Sequence, residues 1–249
     1  MTTARGPQRV DGWTASVRQR LGLGRLLPLG GPGDGAWIAE TAAASVLCGA
    51  AALPGTVLGK LRIGPTERAL EAAVAGGGPD GVSRNPADPA PPPAPPSALP
   101  PGPLRIEAEF STTPDRPLPD TAAALRAALL TAAAARLGLE IAEVDLTVTA
   151  LLEAGATDQV TAGETAPPAP GAKPEGPVAT AAAGVPGVVS LTRVLGGPVY
   201  TAHDHVRVEV AAAGDHRALD VARSVRTAVA AASEDRLPVS VLVTEVVSR

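Results

Sequence analysis

Three histidines are the side chains best suited to metal binding or proton transfer, and two of them lie close together. His203 and His205 flank Asp204 in the segment HDH, and His216 follows further along the chain. On a strand, residues i and i+2 point to the same face, so the pair could share a metal ion. Asp204 would point to the opposite face, and no third ligand lies at a recognisable spacing. We therefore predict a solvated hairpin turn at 203–205 and no bound metal.

The single cysteine, Cys48, lies in the apolar and helix-forming segment ASVLCGAA. One cysteine cannot form an intrachain disulfide, which fits a reducing compartment. A thiol in apolar surroundings is inert, so we expect Cys48 to be a buried structural residue. No Gly-x-Ser-x-Gly elbow is present to activate a serine. The sequence predicts no catalytic residue, no cofactor and no enzymatic activity.

A glycine-rich segment, GLGRLLPLGGPGDG at 22–35, contains a G-x-G motif and a G-x-x-G motif at 30–33. A dinucleotide fingerprint follows a strand, whereas Trp13, Val17 and Leu21 predict a helix before this segment. A G-x-x-G clamp of the KH type needs flanking helices and a basic surface. We expect instead an apolar arm, packed across the rest of the chain or presented to a partner.

Basic residues cluster on one predicted helix, where Arg217, Arg223 and Arg226 share a face. A solvated face is the first interpretation, and contact with acidic lipid or a partner helix is the alternative. Overall the chain carries a net charge of −4, and only Lys60 and Lys173 are lysines. Nucleic-acid binders carry an excess of basic residues, so we expect no nucleic-acid partner.

Composition places the chain among globular proteins of one or two domains. Its 249 residues are 45% hydrophobic but only 2% aromatic, so the core must be built from small side chains. The longest apolar stretch, residues 41–53, is shorter than the ~20 residues that a membrane helix needs. We expect no secretory signal at the start of the sequence, because no basic segment followed by an apolar one is found there. We expect a cytoplasmic protein, and peripheral membrane association stays open.

Two segments have the composition of linkers. Residues 86–103 are dominated by proline, which favours an extended tether without packed structure. Residues 154–177 are polar and proline-rich and show no apolar period, which predicts flexibility.

The remaining sequence contains a repeat. LRIEAEF at 104–110 and VRVEVAA at 206–212 both alternate apolar residues with Arg and Glu, as half-buried strands do. Each is followed by an alanine-rich amphipathic helix with an acidic residue at its start, Asp120 or Asp220.

Each helix leads to a closing strand, at 144–151 or 239–247, and the second of these is apolar enough to lie inside a sheet. A strand–helix–strand crossover places its two strands parallel. The Pro-Gly pairs at 54–55 and 186–187 each end a helix and turn the chain into a strand.

The predicted fold is α+β, with two pseudo-repeats of helix-(Pro-Gly)-strand-strand-helix-strand packed as one body. Three strands make a marginal sheet, which is why we expect the two copies to pack together. The predicted segments are an N-terminal helix and apolar arm (1–36), a first repeat (37–63 plus 104–153), a proline-rich insert (64–103) that opens with a short helix, a flexible linker (154–176) and a second repeat (177–249).

Residues 177–247 resemble the alkaline shock protein, or envelope stress response, family of bacteria. The resemblance rests on the A-x-x-V-P-G-V joint at 182–188, the strand VRVEV, the amphipathic helix and the valine-rich last strand. The first repeat resembles the family more weakly, with LPGT in place of VPGV and with the insert in its middle. The resemblance implies a non-enzymatic protein that assembles with itself or with protein partners near the membrane.

The whole chain, with LGLGRLLPLGG near its start, also resembles uncharacterised actinobacterial proteins. These sometimes carry a label borrowed from a nucleopolyhedrovirus fibrillar protein, which rests on proline-rich composition and implies no function. A small-ligand or enzymatic module with a pocket between the two repeats is the alternative to the scaffold.

Overall fold

The computed structural model describes residues 22–75, 92–95, 97–153, 169–234 and 237–248, which form two mixed sheets and five α-helices. The strands are β1 (Leu26–Leu29), β2 (Ala36–Ala39), β3 (Thr56–Pro65), β4 (Leu104–Thr112), β5 (Ile141–Leu151), β6 (Gly171–Ala172), β7 (Val188–Thr192), β8 (Val199–Thr201), β9 (Val206–Ala213) and β10 (Val239–Val247). The α-helices are α1 (Glu40–Ala50), α2 (Glu67–Ala75), α3 (Leu118–Ala132), α4 (Gly176–Ala183) and α5 (Ala218–Ala232). One π-helical turn, Ala133–Leu137, extends α3.

The two halves of the chain pair their strands in the same way. In the first, β3 is antiparallel to β4, and β4 is parallel to β5 across the helix α3. In the second, β7 is antiparallel to β9, and β9 is parallel to β10 across α5. The α+β fold is therefore confirmed, and both halves show the order helix, Pro-Gly, strand, strand, helix, strand. The second half adds the short strands β6 and β8.

Alternation along β4 explains its position in the first sheet. Ile106 and Phe110 are buried beneath the helices, whereas Glu107 and Glu109 are exposed on the opposite face. The same alternation in β9 predicts an exposed Glu209, and this is wrong. Glu209 is fully buried, because the loop at 193–198 covers the second face of that sheet.

Both Pro-Gly joints place glycine in the left-handed region, where a side chain is disfavoured. The φ angle is 69° at Gly55 and 88° at Gly187. The joints follow α1 and α4 and lead directly into β3 and β7. Glycine therefore performs the same turn in both halves.

Replacing Gly187 by alanine is expected to destabilise the chain more than the same change at Gly55. A Cβ at position 187 would lie 2.7 Å from Cγ2 of the buried Val221, whereas at Gly55 the nearest atom is the hydroxyl of Thr113. The hydroxyl can rotate away, so we expect a loss of about 3 kcal/mol at Gly187 and about 1 kcal/mol at Gly55. Urea unfolding of both variants measures the difference, and equal losses would contradict this account.

The glycine-rich arm forms a hairpin that belongs to the second sheet. β1 pairs antiparallel with β2, and β2 lies parallel to β10 with Ala36 opposite Val241. The arm thus packs across the chain as expected, although neither strand is predicted by the sequence pattern. Residues 37–39, assigned above to the first repeat, lie in the sheet of the second. The helix predicted around Trp13 lies outside the described residues.

Parts of both predicted linkers are packed, which corrects the linker interpretation. Pro92 and Pro95 are buried, and the backbone of Leu99 donates a hydrogen bond to the carbonyl of Leu26 at the edge of β1. In the second linker, β6 pairs with β7. The short helix predicted at the start of the insert is α2. Residues 76–91 and 154–168 of the predicted insert and linker lie outside the described residues.

The two halves share one hydrophobic core, and polar contacts join them around Gly138. The carbonyl of Gly138 accepts a hydrogen bond from Gly30 in the hairpin, at 3.3 Å. Next to it, Nε of Arg217 on the second half donates to the carbonyl of Ala134 at 2.9 Å. The described residues therefore form one packed body, as the marginal size of each sheet predicts.

Candidate interaction site

The histidines do not assemble into a site. His203 is 94% exposed, and Nδ1 of His205 lies 2.8 Å from Asp204 in the turn between β8 and β9. His216 follows the far end of β9, roughly 25 Å away by strand length. Within the described ranges, no group of three metal-ligating side chains occurs. The predicted hairpin turn at 203–205 is present.

Cys48 is exposed on α1, so the prediction of a buried thiol is wrong. Val46 and Leu47 face the core, whereas Cys48, the next residue, lies on the exposed face of the helix. Partial desolvation by the surrounding protein raises the pKa of the thiol, which disfavours the reactive thiolate.

The glycine-rich turn and the arginine face of α5 bind each other. Arg223 forms a bidentate pair with Asp34, with N–O distances of 2.8 and 2.9 Å, and Arg226 donates to the carbonyl of Gly33. Asp34 also accepts the backbone N–H of Gly31 at 2.9 Å. A carboxylate of the chain therefore binds both the backbone N–H of Gly31 and the guanidinium of Arg223. The face is partly exposed, as its first interpretation has it, since the side chain of Arg223 is 50% exposed, and the sequence did not predict the ion pair with Asp34.

Replacing Arg223 by alanine is expected to lower the free energy of unfolding by about 1 kcal/mol at neutral pH, because a partly exposed bidentate pair is lost. The hydrogen bond from Arg223 holds the pKa of Asp34 below its usual value, against a smaller opposing effect of burial. The pair therefore stabilises the chain above the ordinary carboxyl pKa, and this contribution is lost as the pH falls through the lowered value.

Urea titrations across the acidic range measure this effect, and wild type and variant should converge at low pH. Asp34→Asn should show a similar loss, and the double variant should add little to either single change. A difference between wild type and Arg223→Ala that persists in strong acid would contradict the prediction.

A buried carboxylate, missed by the sequence pattern, fastens the hairpin to the first sheet. Glu40, at the start of α1, accepts the N–H of Ile63 at 3.0 Å and pairs with the guanidinium of Arg25 at 3.2 Å. Arg25 also donates to the carbonyl of Ile63 at 2.7 Å. Glu40 and Arg25 thereby bind the N–H and the C=O of Ile63, which would otherwise be open at the edge of β3. No spacing rule could find this contact, because the three residues lie far apart in sequence.

A second buried carboxylate, Glu209, holds a loop rather than a ligand. It accepts backbone N–H groups from Val194 and Leu195, at 2.7 and 3.1 Å. Arg207 lies 3.6 Å from it and stacks over the ring of Tyr200, 5.1 Å from the centroid. This network orders the segment between β7 and β9, and its polar groups face protein.

The groove that could hold a small ligand does not lie between the two repeats, where the alternative interpretation placed a pocket. A shallow groove of about 440 Å³ is lined by Val185, Pro186, Arg223, Ser224, Thr227 and Ala228. These residues belong to the Pro-Gly joint and to α5, so the groove lies on the second half. Its one charged lining residue, Arg223, already binds Asp34.

The corresponding edges of the two sheets differ in their pairing. The outer edge of β10 is covered by β2. β5 occupies the same place in the first half, and no strand of the described chain pairs with its outer edge. The edge of β1 is bridged by Ser97 and Leu99, and that of β3 by the Glu40 contacts. The remaining edge strands, β6 and β8, have only two and three residues, so the outer edge of the 11-residue β5 is the candidate interaction site.

The open edge presents both backbone groups and apolar side chains. The carbonyl of Val144 accepts a 3.3 Å hydrogen bond from Nε of Arg126, so it points away from β4. Because strand residues alternate in direction, Leu146 and Val148 point their N–H and C=O groups the same way. Val148 is 41% exposed and Leu151 is 60% exposed. The outward-pointing backbone groups of β5 pair with no strand among the described residues, and its apolar side chains are accessible beside them.

Comparison with known proteins adds no relative. No protein-family model, curated protein or solved structure matches the chain. Across the described ranges, no helix is both long and apolar enough to span a bilayer. The function must be inferred from the chain's own residues.

Proposed function

We propose that the chain is a non-enzymatic interaction or scaffolding protein of the envelope-stress type, acting in the cytoplasm or at the inner surface of the membrane. The observation that carries this proposal is the open edge of β5, in the position where the second sheet accepts an added strand. A sheet edge with free N–H and C=O groups is a ready template for another chain.

Two features of the chain support a binding role over catalysis. The arginine face, the glycine-rich turn and the buried carboxylates are all engaged in contacts within the chain. The repeated order of elements agrees with the resemblance to envelope stress proteins, whose implied role is assembly with protein partners. Self-association or a protein partner is therefore expected, with no nucleic acid.

Capture with the full chain, from the membrane fraction and the cytosol separately, tests the scaffold. We expect the same protein partners to be recovered in stoichiometric amount and to be lost when the β5 edge is altered. A screen of small ligands by thermal shift tests the alternative module. A ligand at one hundred times its Kd would stabilise the chain by about 2.7 kcal/mol, and such a shift would favour a binding pocket over the scaffold.

A further inference from the structure

We propose that the outer edge of β5 pairs antiparallel with β5 of a second copy of this chain, across a two-fold axis at Leu146. The result is a continuous sheet of six strands, built from two copies of β3, β4 and β5. The inference rests on the proposed scaffolding function and assigns it a surface and a first partner.

The backbone direction of β5 permits this pairing. Val144, Leu146 and Val148 point their hydrogen-bonding groups to the open edge. In an antiparallel pair centred on Leu146, Leu146 faces its own copy, and Val144 faces Val148 of the partner subunit. Every residue in these pairs points its backbone groups towards the other strand. All three residues can then exchange hydrogen bonds while the parallel ladder to β4 stays intact. The Val144 carbonyl has a second lone pair beside the one that Arg126 uses.

The side chains are complementary in the same register. On the face towards α3, the apolar residues Val144, Leu146 and Val148 meet one another, which would cover the exposed part of Val148. On the outer face, Asp145 lies opposite Thr147 of the partner subunit, and Glu143 lies opposite Thr149 of the partner subunit. No two carboxylates face each other. A register centred on Asp145 would place that carboxylate against its own copy and is disfavoured.

β5 is protected less than the opposite edge of its sheet. Its register to β4 shifts near Ala142 and Thr149, and it carries Glu143 and Asp145, but the stretch 143–148 between the shifts pairs regularly. β3, at the opposite edge of the sheet, carries Lys60, Arg62, Pro65 and an irregular stretch near Gly59. β5 runs for 11 residues with no proline or lysine, and its ladder to β4 is regular from Arg105 to Phe110. The two edges of one small sheet therefore differ in their capacity to accept another strand. A two-fold pair uses the same surface twice and closes the assembly at two copies.

Sedimentation of the purified full-length chain over the micromolar to millimolar range tests the pairing. We expect a concentration-dependent dimer, together with slower amide exchange at Val144, Leu146 and Val148 as concentration rises. Val148→Pro removes an N–H that points away from β4, so it should leave the fold intact and weaken the dimer at least about tenfold. Circular dichroism and thermal unfolding verify that the variant is folded.

Charge changes at Thr147 test the register. Thr147→Lys places a cation opposite Asp145 of the partner subunit and should tighten the dimer about tenfold, whereas Thr147→Glu should weaken it by a similar factor. The matched controls are Val189→Lys and Val189→Glu, since Val189 is a 50% exposed strand residue of the other sheet. Neither control should change the association constant.

Three results would overturn the proposal. A wild-type chain that stays monomeric throughout the concentration range would remove the self-pairing, and a scaffold with a different protein partner would still stand. A dimer insensitive to Val148→Pro and to both Thr147 changes would form through another face. A dimer weakened by both Thr147→Lys and Thr147→Glu would reject the axis at Leu146. Either charge would then face its own copy, which means that Thr147 lies on the two-fold axis.

Discussion

Gly138→Ala is expected to lower the free energy of unfolding by about 3 kcal/mol, since left-handed strain adds to a collision in the core. Gly138 has φ 89° and ends the π-helical turn after α3. A Cβ there would lie 2.5 Å from the Cβ of Leu219, an atom fixed directly to the backbone of α5. α5 would have to move away, and the contact between Gly30 and Gly138 would be strained with it.

The matched control for this prediction is Gly49→Ala on the surface of α1, where an added Cβ meets nothing within 4 Å. That change should stabilise the chain by roughly 0.5–1 kcal/mol through helix propensity. Chemical denaturation of both variants gives the comparison. A Gly138→Ala chain as stable as wild type would show that the two halves are not locked together at this point.

Glu40→Ala is expected to cost about 3 kcal/mol, because it leaves the N–H of the fully buried Ile63 without its acceptor and the guanidinium of Arg25 without its carboxylate. Burial raises the pKa of Glu40, but the hydrogen bonds from the Arg25 side chain and from two backbone N–H groups lower it more. The net pKa is therefore lowered. The carboxylate stabilises the chain above its ordinary pKa, and this contribution is lost as the pH falls through the lowered value.

Glu40→Gln separates the charge from the hydrogen bond. The amide oxygen can still accept from Ile63, so we expect about half the loss and a weaker dependence of stability on acidic pH. Glu71→Ala, on the exposed surface of α2, is the neutral control. Urea unfolding between neutral and acidic pH measures all three. An alanine variant within experimental error of wild type would show that Arg25 and Ile63 find other partners.

Local periodicity was sufficient to predict the elements that repeat. The alternation in β4 and β9 and the acidic first turns of α3 and α5 each depend on residues only a few positions apart. The last strand has the predicted bounds, Val239–Val247, and lies inside its sheet between β2 and β9. Pro-Gly was informative for the same reason, since its effect on the backbone is local.

Contacts between distant residues account for what the sequence did not predict. β1 and β2 have four residues each, and the partner of β2 is the last strand of the chain. The acceptor of Arg223 is Asp34, at a separation of 189 residues, so a partly exposed arginine also makes a contact within the chain that no local pattern predicts. The alternation in β9 predicts an exposed Glu209, but the loop that follows β7 covers this residue in the folded chain. The openness of the β5 edge is likewise a property of the assembled sheets.

The parallel pairing of β2 with β10 has a consequence for synthesis. Ala36 leaves the ribosome roughly two hundred residues before Val241, its neighbour in the sheet. During that interval the apolar hairpin has no strand to cover it, while the three-stranded sheet of the first half can already form. The nascent chain is thus expected to need protection by chaperones until β10 has been translated, and ribosome-bound chains that stop before residue 239 should remain sensitive to protease within residues 26–39.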